Sequence, residues 1–159
     1  MAISDWSFRA PNQRCNFRVA GVLLRGDRIL VQRERDGNEY ALPGGHVIFG
    51  ETSEQSLIRE FKEETGADIS VNRIAWIEEC FWRDNCRGEV HTLVFYYPVA
   101  LEGASSISDD YFAAHLDNNN VVVEWKSISE LRDVVFYPGH ILAQLPDIPT
   151  RTEHFITVE

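Results

Sequence analysis

Residues 41–67 read Ala-Leu-Pro-Gly-Gly-His-Val-Ile-Phe-Gly-Glu-Thr-Ser-Glu-Gln-Ser-Leu-Ile-Arg-Glu-Phe-Lys-Glu-Glu-Thr-Gly-Ala. A Pro-Gly-Gly turn leads into an acidic segment with helical periodicity. Thr52 and Ser53 are the N-cap candidates, since their hydroxyls accept from free N–H groups of the first turn. Glu51 and Glu54 suit the positive end of the helix dipole. Gly66 suits the left-handed residue that ends a helix. The spacing predicts a helix from about Ser53 to about Thr65. At 3.6 residues per turn, Leu57, Ile58, Phe61 and Thr65 share one face, which is the expected core face.

Glu60, Glu63 and Glu64 lie together beside that face. Glu60 and Glu64 are like charges at i, i+4, which costs an isolated helix roughly 0.2–0.5 kcal/mol. Glu63 and Glu64 also sit near the negative end of the dipole. Stability alone does not favour this arrangement. Three carboxylates beside a Gly-rich turn make sense if a cation neutralises them, and oxygen-only donors suit Mg²⁺, Mn²⁺ or Ca²⁺ better than Zn²⁺. The competing interpretation is a solvated acidic face, partly neutralised by Arg59 and Lys62.

The full spacing resembles the signature of the Nudix hydrolases: a glycine, five residues, a glutamate, seven residues, then Arg-Glu-apolar-any-Glu-Glu-any-Gly-apolar. Here these are Gly45, Glu51 and the run Arg59-Glu60-Phe61-Lys62-Glu63-Glu64-Thr65-Gly66-Ala67. Every fixed position matches, and only Ala67 is smaller than the usual aliphatic residue. The resemblance implies an α/β fold, the Nudix fold, with a mixed β-sheet sandwiched between α-helices. It also implies hydrolysis of a nucleoside diphosphate linked to another moiety, by water attack on phosphorus assisted by divalent cations. Mg²⁺ is the expected ion, with Mn²⁺ as a substitute. Carried over residue by residue, Glu60 and Glu64 become the first metal ligands. Glu63 is the third carboxylate, and the Gly45 carbonyl is a neutral ligand. Arg59 and Glu51 orient the helix and turn. Any of the glutamates can be the general base.

Family members commonly place a basic residue at the end of the second strand, facing a substrate phosphate. Arg33 holds that position, although a surface pairing with an acid explains it equally well. Trp82 or Phe81 is a candidate for stacking a base, against the commoner role of a core aromatic. Many members supply another carboxylate shortly before the strand that contains Trp125. Here Asp117, Glu124 and Glu89 are the candidates, and none stands out. A Tyr some 17 residues after the motif, usual in dinucleoside polyphosphate hydrolases, is replaced by Trp82-Arg83-Asp84. The Pro typical of ADP-ribose enzymes is absent between Ala67 and Tyr96. The motif therefore names the chemistry but not the substrate, expected to be of the (d)NTP or nucleotide-sugar class. The alternative is a Nudix module that binds a nucleotide as a sensor without cleaving it, or an interaction module.

The chain has 159 residues, 44% of them hydrophobic, which fits a single domain over 1–159. Its net charge of −10 argues against a nucleic-acid or anionic-membrane surface. The expected partner is a small nucleoside diphosphate derivative, with no nucleic acid and no membrane, and a homodimer remains open. Cys15, Cys80 and Cys86 are odd in number and lack Cys-x-x-Cys spacing. They read as reduced thiols, and with no basic-then-apolar leader the expectation is a cytoplasmic protein. A zinc site from Cys80, Cys86 and His91 fits no standard spacing.

Outside the motif, residues 1–14 read as an irregular lead-in. Residues 17–24 and 28–33 read as a hairpin, and 40–42 as a short strand. Residues 69–82 read as one or two strands, and 90–101 as a strong strand with an edge position or bulge at Pro98. Residues 102–120 form a long polar connection suited to a lid or substrate loop, with a possible short helix at 111–116. Residues 121–125 read as a strand, and a short helix capped by Ser127 or Ser129 runs through Leu131. A final helix is expected at 138–145, then a tail over 146–159 in which 154–158 can add a strand.

Overall fold

The computed structural model describes residues 4–85, 88–109, 112–113 and 119–158. The strands are β1 (Ser7–Ala10), β2 (Gln13–Arg25), β3 (Arg28–Glu34), β4 (Glu39–Ala41), β5 (Gly44–His46), β6 (Ile69–Val71), β7 (Trp76–Asp84), β8 (Gly88–Leu101), β9 (Phe112–Ala113), β10 (Val121–Ser127), β11 (Val135–Tyr137) and β12 (Glu153–Val158). They form one mixed sheet whose main path runs β11-β4-β3-β2-β8-β7-β12. The pairs β2·β8, β7·β12 and β4·β11 are parallel, and the other strand pairs are antiparallel.

Strand β2 organises the sheet because it changes partner along its length. Its middle pairs with β5 at Arg18–Ala20, and its end turns into the β3 hairpin at Leu24–Arg25. Opposite sides of β2 face different cores, as the period of two requires. Val19 and Leu23 pack with Leu57, Phe61 and Tyr97 under the helix. Ala20 and Val22 pack with Trp76, Tyr96 and Phe136 on the other side.

Helix α1 spans Ser53–Thr65, as its capping residues predict. Thr52 is the N-cap, and its hydroxyl accepts from the Gln55 N–H while the Gln55 side chain accepts from the Thr52 N–H. Gly66 closes the other end at φ 71°, donating its N–H to the Lys62 carbonyl. The buried face differs from the expected one: Leu57 and Phe61 are fully buried, but Ile58 is 40% exposed. The helix is rolled toward the side bearing Ser56, Glu60 and Glu64, roughly opposite Ile58 on the wheel. That roll puts carboxylates, rather than Ile58, against the Pro-Gly-Gly turn.

Helix α1 is the one α-helix among the described residues. The second sheet face is covered by two 3₁₀ turns, Glu130–Asp133 and Gly139–Ile141, which contribute Leu131 and Ile141 to the core. The helix expected at 138–145 is thus a 3₁₀ turn continued by further turns, because Pro138 and Gly139 open it. Ser129 gives no side-chain cap to the first turn. The lead-in is not irregular: β1 and the start of β2 form a hairpin through Pro11 and Asn12, with Asn12 at φ 62°. The tail contains edge strand β12. Segment 69–82 is two strands, β6 and β7. Strand β8 is internal rather than an edge, and Pro98 falls where its antiparallel partner changes from β7 to β6. In the 102–120 connection, Ile107 is buried and its carbonyl accepts from Arg25, so this part is anchored. Residues 112–113 form a strand, and the rest of the helix expected at 111–116 lies outside the described residues. No helix among the described residues is long and apolar enough to cross a membrane.

Candidate active site

The Pro-Gly-Gly turn is sewn onto β2. Gly21 donates its N–H to the Pro43 carbonyl at 2.9 Å, and Val47 donates to the Phe17 carbonyl at 3.0 Å. Between them Gly44 and Gly45 pair with Ala20 and Val19. Both glycines sit at points of close approach, Gly44 to backbone and Gly45 to a side-chain end. Gly44 has φ 149°, and a Cβ there would lie 2.1 Å from the Val19 carbonyl oxygen. A Cβ on Gly45 would lie 2.3–2.4 Å from the Glu60 carboxylate. The turn and the helix therefore meet at the Glu60 head group.

Arg59 ties the surrounding acids together. Its Nε donates to Glu51 at 3.2 Å, and its Nη1 donates to Glu60 at 2.9 Å and Glu63 at 3.1 Å. Its Nη2 donates to the His46 carbonyl at 3.3 Å. Glu51 also accepts from the Ser56 hydroxyl at 2.8 Å. Glu64 accepts the Gly44 N–H at 3.1 Å. Burial, then the charge of Glu60, pushes the Glu64 carboxyl up to about 8. Burial also raises Glu60, against the pull of Arg59.

Two desolvated carboxylates held beside a glycine turn form an oxygen-donor set that fits a hard divalent cation. Among the described residues, no three His, Cys, Asp or Glu side chains already form a metal cage. Glu60 lies against Gly45 and Glu64 against Gly44, and Arg59 engages both Glu60 and Glu63.

The other expected residues divide. Arg33 is paired with Glu124 at 2.7 Å and also donates to the Glu34 and Arg35 carbonyls. That pairing engages both a substrate-binding candidate and a carboxylate candidate. Glu89 is exposed and accepts from Gln13 at 3.4 Å, and Asp117 lies outside the described residues. Cys80 and His91 sit one residue out of register on β7 and β8, so they face opposite sides of the sheet, and Cys86 lies outside the described residues. His91 instead stacks on Phe81.

Trp82 lines a cavity of about 440 Å³ that also takes in Arg14, Asn16, Arg18, His46, Glu78 and Tyr96. Arg14, Asn16 and Arg18 come from alternate positions of β2 and share its face. Burial, then the Arg18 charge, pushes the His46 imidazole down to about 4, so it is neutral at pH 7. Deeper in, the Tyr96 hydroxyl donates to the buried Glu78 carboxylate at 2.5 Å, as does Thr157. Arg18, His46, Glu78 and Tyr96 are absent from the sequence-derived site. One signal was present: polar residues at 14, 16 and 18 open a strand that becomes apolar only later.

The NUDIX domain family matches over residues 16–145. The chain belongs to the Nudix family. Nudix hydrolases generally use divalent metals, in keeping with the donor set above. An ADP-ribose pyrophosphatase of Methanocaldococcus jannaschii is 35% identical over 107 residues, covering 65% of this chain and 62% of that protein. A MutT-like protein of Streptomyces ambofaciens is 38% identical over 78 residues, 48% of this chain and 47% of that protein. The chain thus spans less than two thirds of the length of these curated relatives. In fold, a mutator MutT protein from Bacillus halodurans superposes with a TM-score of 0.63 at 19% identity, covering 89% of this chain and 90% of that one.

Proposed function

We propose that this Nudix chain is a pyrophosphohydrolase that cleaves the diphosphate of a nucleoside-diphosphate-linked small molecule, with Mg²⁺ as its ion and Mn²⁺ as a substitute. The observation that carries the reading is the partly buried, desolvated Glu60–Glu64 pair against Gly44 and Gly45. A structural role does not explain two mutually repelling, desolvated carboxylates at that spot. Similarity to an ADP-ribose pyrophosphatase supports the substrate class.

Glu60 and Glu64 would hold the cation, with Glu63 and the Gly45 backbone next to them. A divalent cation supplies Lewis acidity and offsets the negative charge of the diphosphate. The chain's own residues fix the geometry. Arg59 orients Glu60 and Glu63, Glu51 steadies Arg59 through a charge-assisted bond, and the Gly44 N–H orients Glu64. Positioning and electrostatics supply most of the acceleration in phosphoryl transfer, so this rigidity matters directly.

The test is turnover on a panel of (d)NTPs, nucleotide sugars, ADP-ribose and dinucleoside polyphosphates with Mg²⁺ or Mn²⁺. Glu60→Gln and Glu64→Gln should each lower turnover at least about a hundredfold while the fold is kept. Wild-type activity in both variants sinks the mechanism. Tight nucleotide binding without any turnover by the unaltered protein favours the sensor alternative.

A further inference from the structure

Arg18 lies on β2 directly opposite His46, one residue from the pairing of Val19 with Gly45. It is therefore adjacent in the sheet to the turn that receives Glu60. Its side chain lines the 440 Å³ cavity and is only partly exposed. It makes no hydrogen bond or ion pair with any described residue. Arg33 and Arg59, by contrast, are bound up with acids. His46, which faces Arg18 across the β2·β5 pairing and lines the same cavity, directly follows Gly45 in the turn that receives Glu60, and Arg59 donates to its carbonyl. A partly buried guanidinium with five unused donors, one strand position from the turn that receives Glu60, is poised for an external anion.

Beyond Arg18 the cavity becomes aromatic. Phe81, Trp82 and Tyr137 line it, and the volume falls within the range of small-molecule sites. A ligand that runs from the glutamates past Arg18 meets first an anion site and then a stacking wall. We propose that Arg18 binds a phosphate of the substrate and steers the attached aromatic group into the cavity against Trp82. This rests on the hydrolase reading only for the identity of the anion as a diphosphate. It also gives the substrate a direction: the base lies in the cavity, and the group across the diphosphate lies outside it.

The test is calorimetric binding of inorganic pyrophosphate, α,β-methylene-ADP and α,β-methylene-GDP in the presence of Mn²⁺. These probes report binding whether or not the protein turns over any substrate. Arg18→Gln should weaken pyrophosphate and the tighter-binding nucleotide analogue at least about tenfold. Arg18→Lys, which keeps the charge but loses the planar fork, should recover part of the loss. Trp82→Ala should weaken the nucleotide analogue and spare pyrophosphate. Mn²⁺ affinity, measured by electron paramagnetic resonance without nucleotide, should change less than threefold in Arg18→Gln. Wild-type binding of the probes by Arg18→Gln overturns the proposal. So does a change confined to Mn²⁺ affinity, which would make Arg18 only a counter-charge for the glutamates. Failure of the unaltered protein to bind any probe overturns it as well. Probe binding that follows the expected pattern without turnover on any substrate removes the hydrolase reading and leaves Arg18 assigned.

Discussion

Gly45 and Glu60 touch in a way that no side chain at position 45 permits. The glycine has no Cβ, and the Glu60 carboxylate fills the space where one would sit, 2.3–2.4 Å away. The carboxylate is the far end of a flexible side chain and can move aside. Gly45→Ala should therefore keep the fold, with a small change in Tm, yet displace Glu60. Displacement on the order of 1 Å can cost about a hundredfold in rate, so turnover should fall by that order. Gly44→Ala is the contrast. Its Cβ would meet the Val19 backbone, which cannot yield, and its φ of 149° disfavours any side chain. That variant should lose stability outright, as read by thermal unfolding. Equal Tm values for the two variants would show that the turn is not held as described.

Glu64 carries a charge that the metal-free fold does not welcome. It is desolvated, and Glu60 repels it. In metal-free buffer at alkaline pH, where both carboxylates ionise, Glu64→Gln should raise Tm by a few degrees. Added Mg²⁺ should raise the Tm of the unaltered protein and leave Glu64→Gln nearly unchanged, because binding to the folded state stabilises it by mass action. A metal-induced shift of the same size in both proteins would remove Glu64 from the ligand set.

The acidic helix was legible because its ends, caps and charge pattern are local. Thr52, Gln55 and Gly66 act within a few residues of one another, so spacing alone places them. The identity of the core face was less legible. Ile58 and Leu57 have similar hydrophobicity, and only the tertiary demand to turn Glu60 and Glu64 inward exposes one and buries the other. The cavity was least legible. Arg18 and His46 are 28 positions apart, and Arg18 and Trp82 are further apart still. They meet only because β2 pairs with both β5 and β8, and β8 in turn pairs with β7. Arg33, in turn, looked available in sequence because its partner Glu124 lies across the β3·β10 pairing.

Gly21 and Phe61 define how closely the helix approaches β2. A Cβ at position 21 would lie 2.5 Å from Phe61 Cε2 and 2.8 Å from Cζ. Phe61 is fully buried, so the ring has little room to yield. Gly21→Ala should cost about 1–3 kcal/mol by overpacking. For a chain of this size that is a fall in Tm of roughly 2–4 °C per kcal/mol. Phe61→Leu leaves part of the ring volume empty and should also destabilise on its own. The double variant should be more stable than the sum of the two losses, since the smaller side chain makes space for the added methyl. Additive losses in a denaturation cycle would show that the two residues do not share this space.

His140 supplies a pH dependence that is separate from the glutamates. Its ring lies 3.9 Å from that of Phe155, and its Nδ1 is 3.6 Å from the buried Glu78. Burial lowers the pKa of the imidazole, and the nearby Glu78 only partly offsets this. A histidine with a folded-state pKa below its unfolded value takes up its proton more readily when unfolded. The unfolded chain then binds more protons as pH falls below about 6.5, and stability declines with it. Above that pH the imidazole is neutral in both states and contributes no slope. His140→Gln cannot take up this proton. Its Tm should therefore fall less steeply than that of the unaltered protein between about pH 6.5 and pH 5, whatever its absolute stability. Parallel Tm–pH curves over that window would mean that Glu78 holds the imidazolium as well as water does.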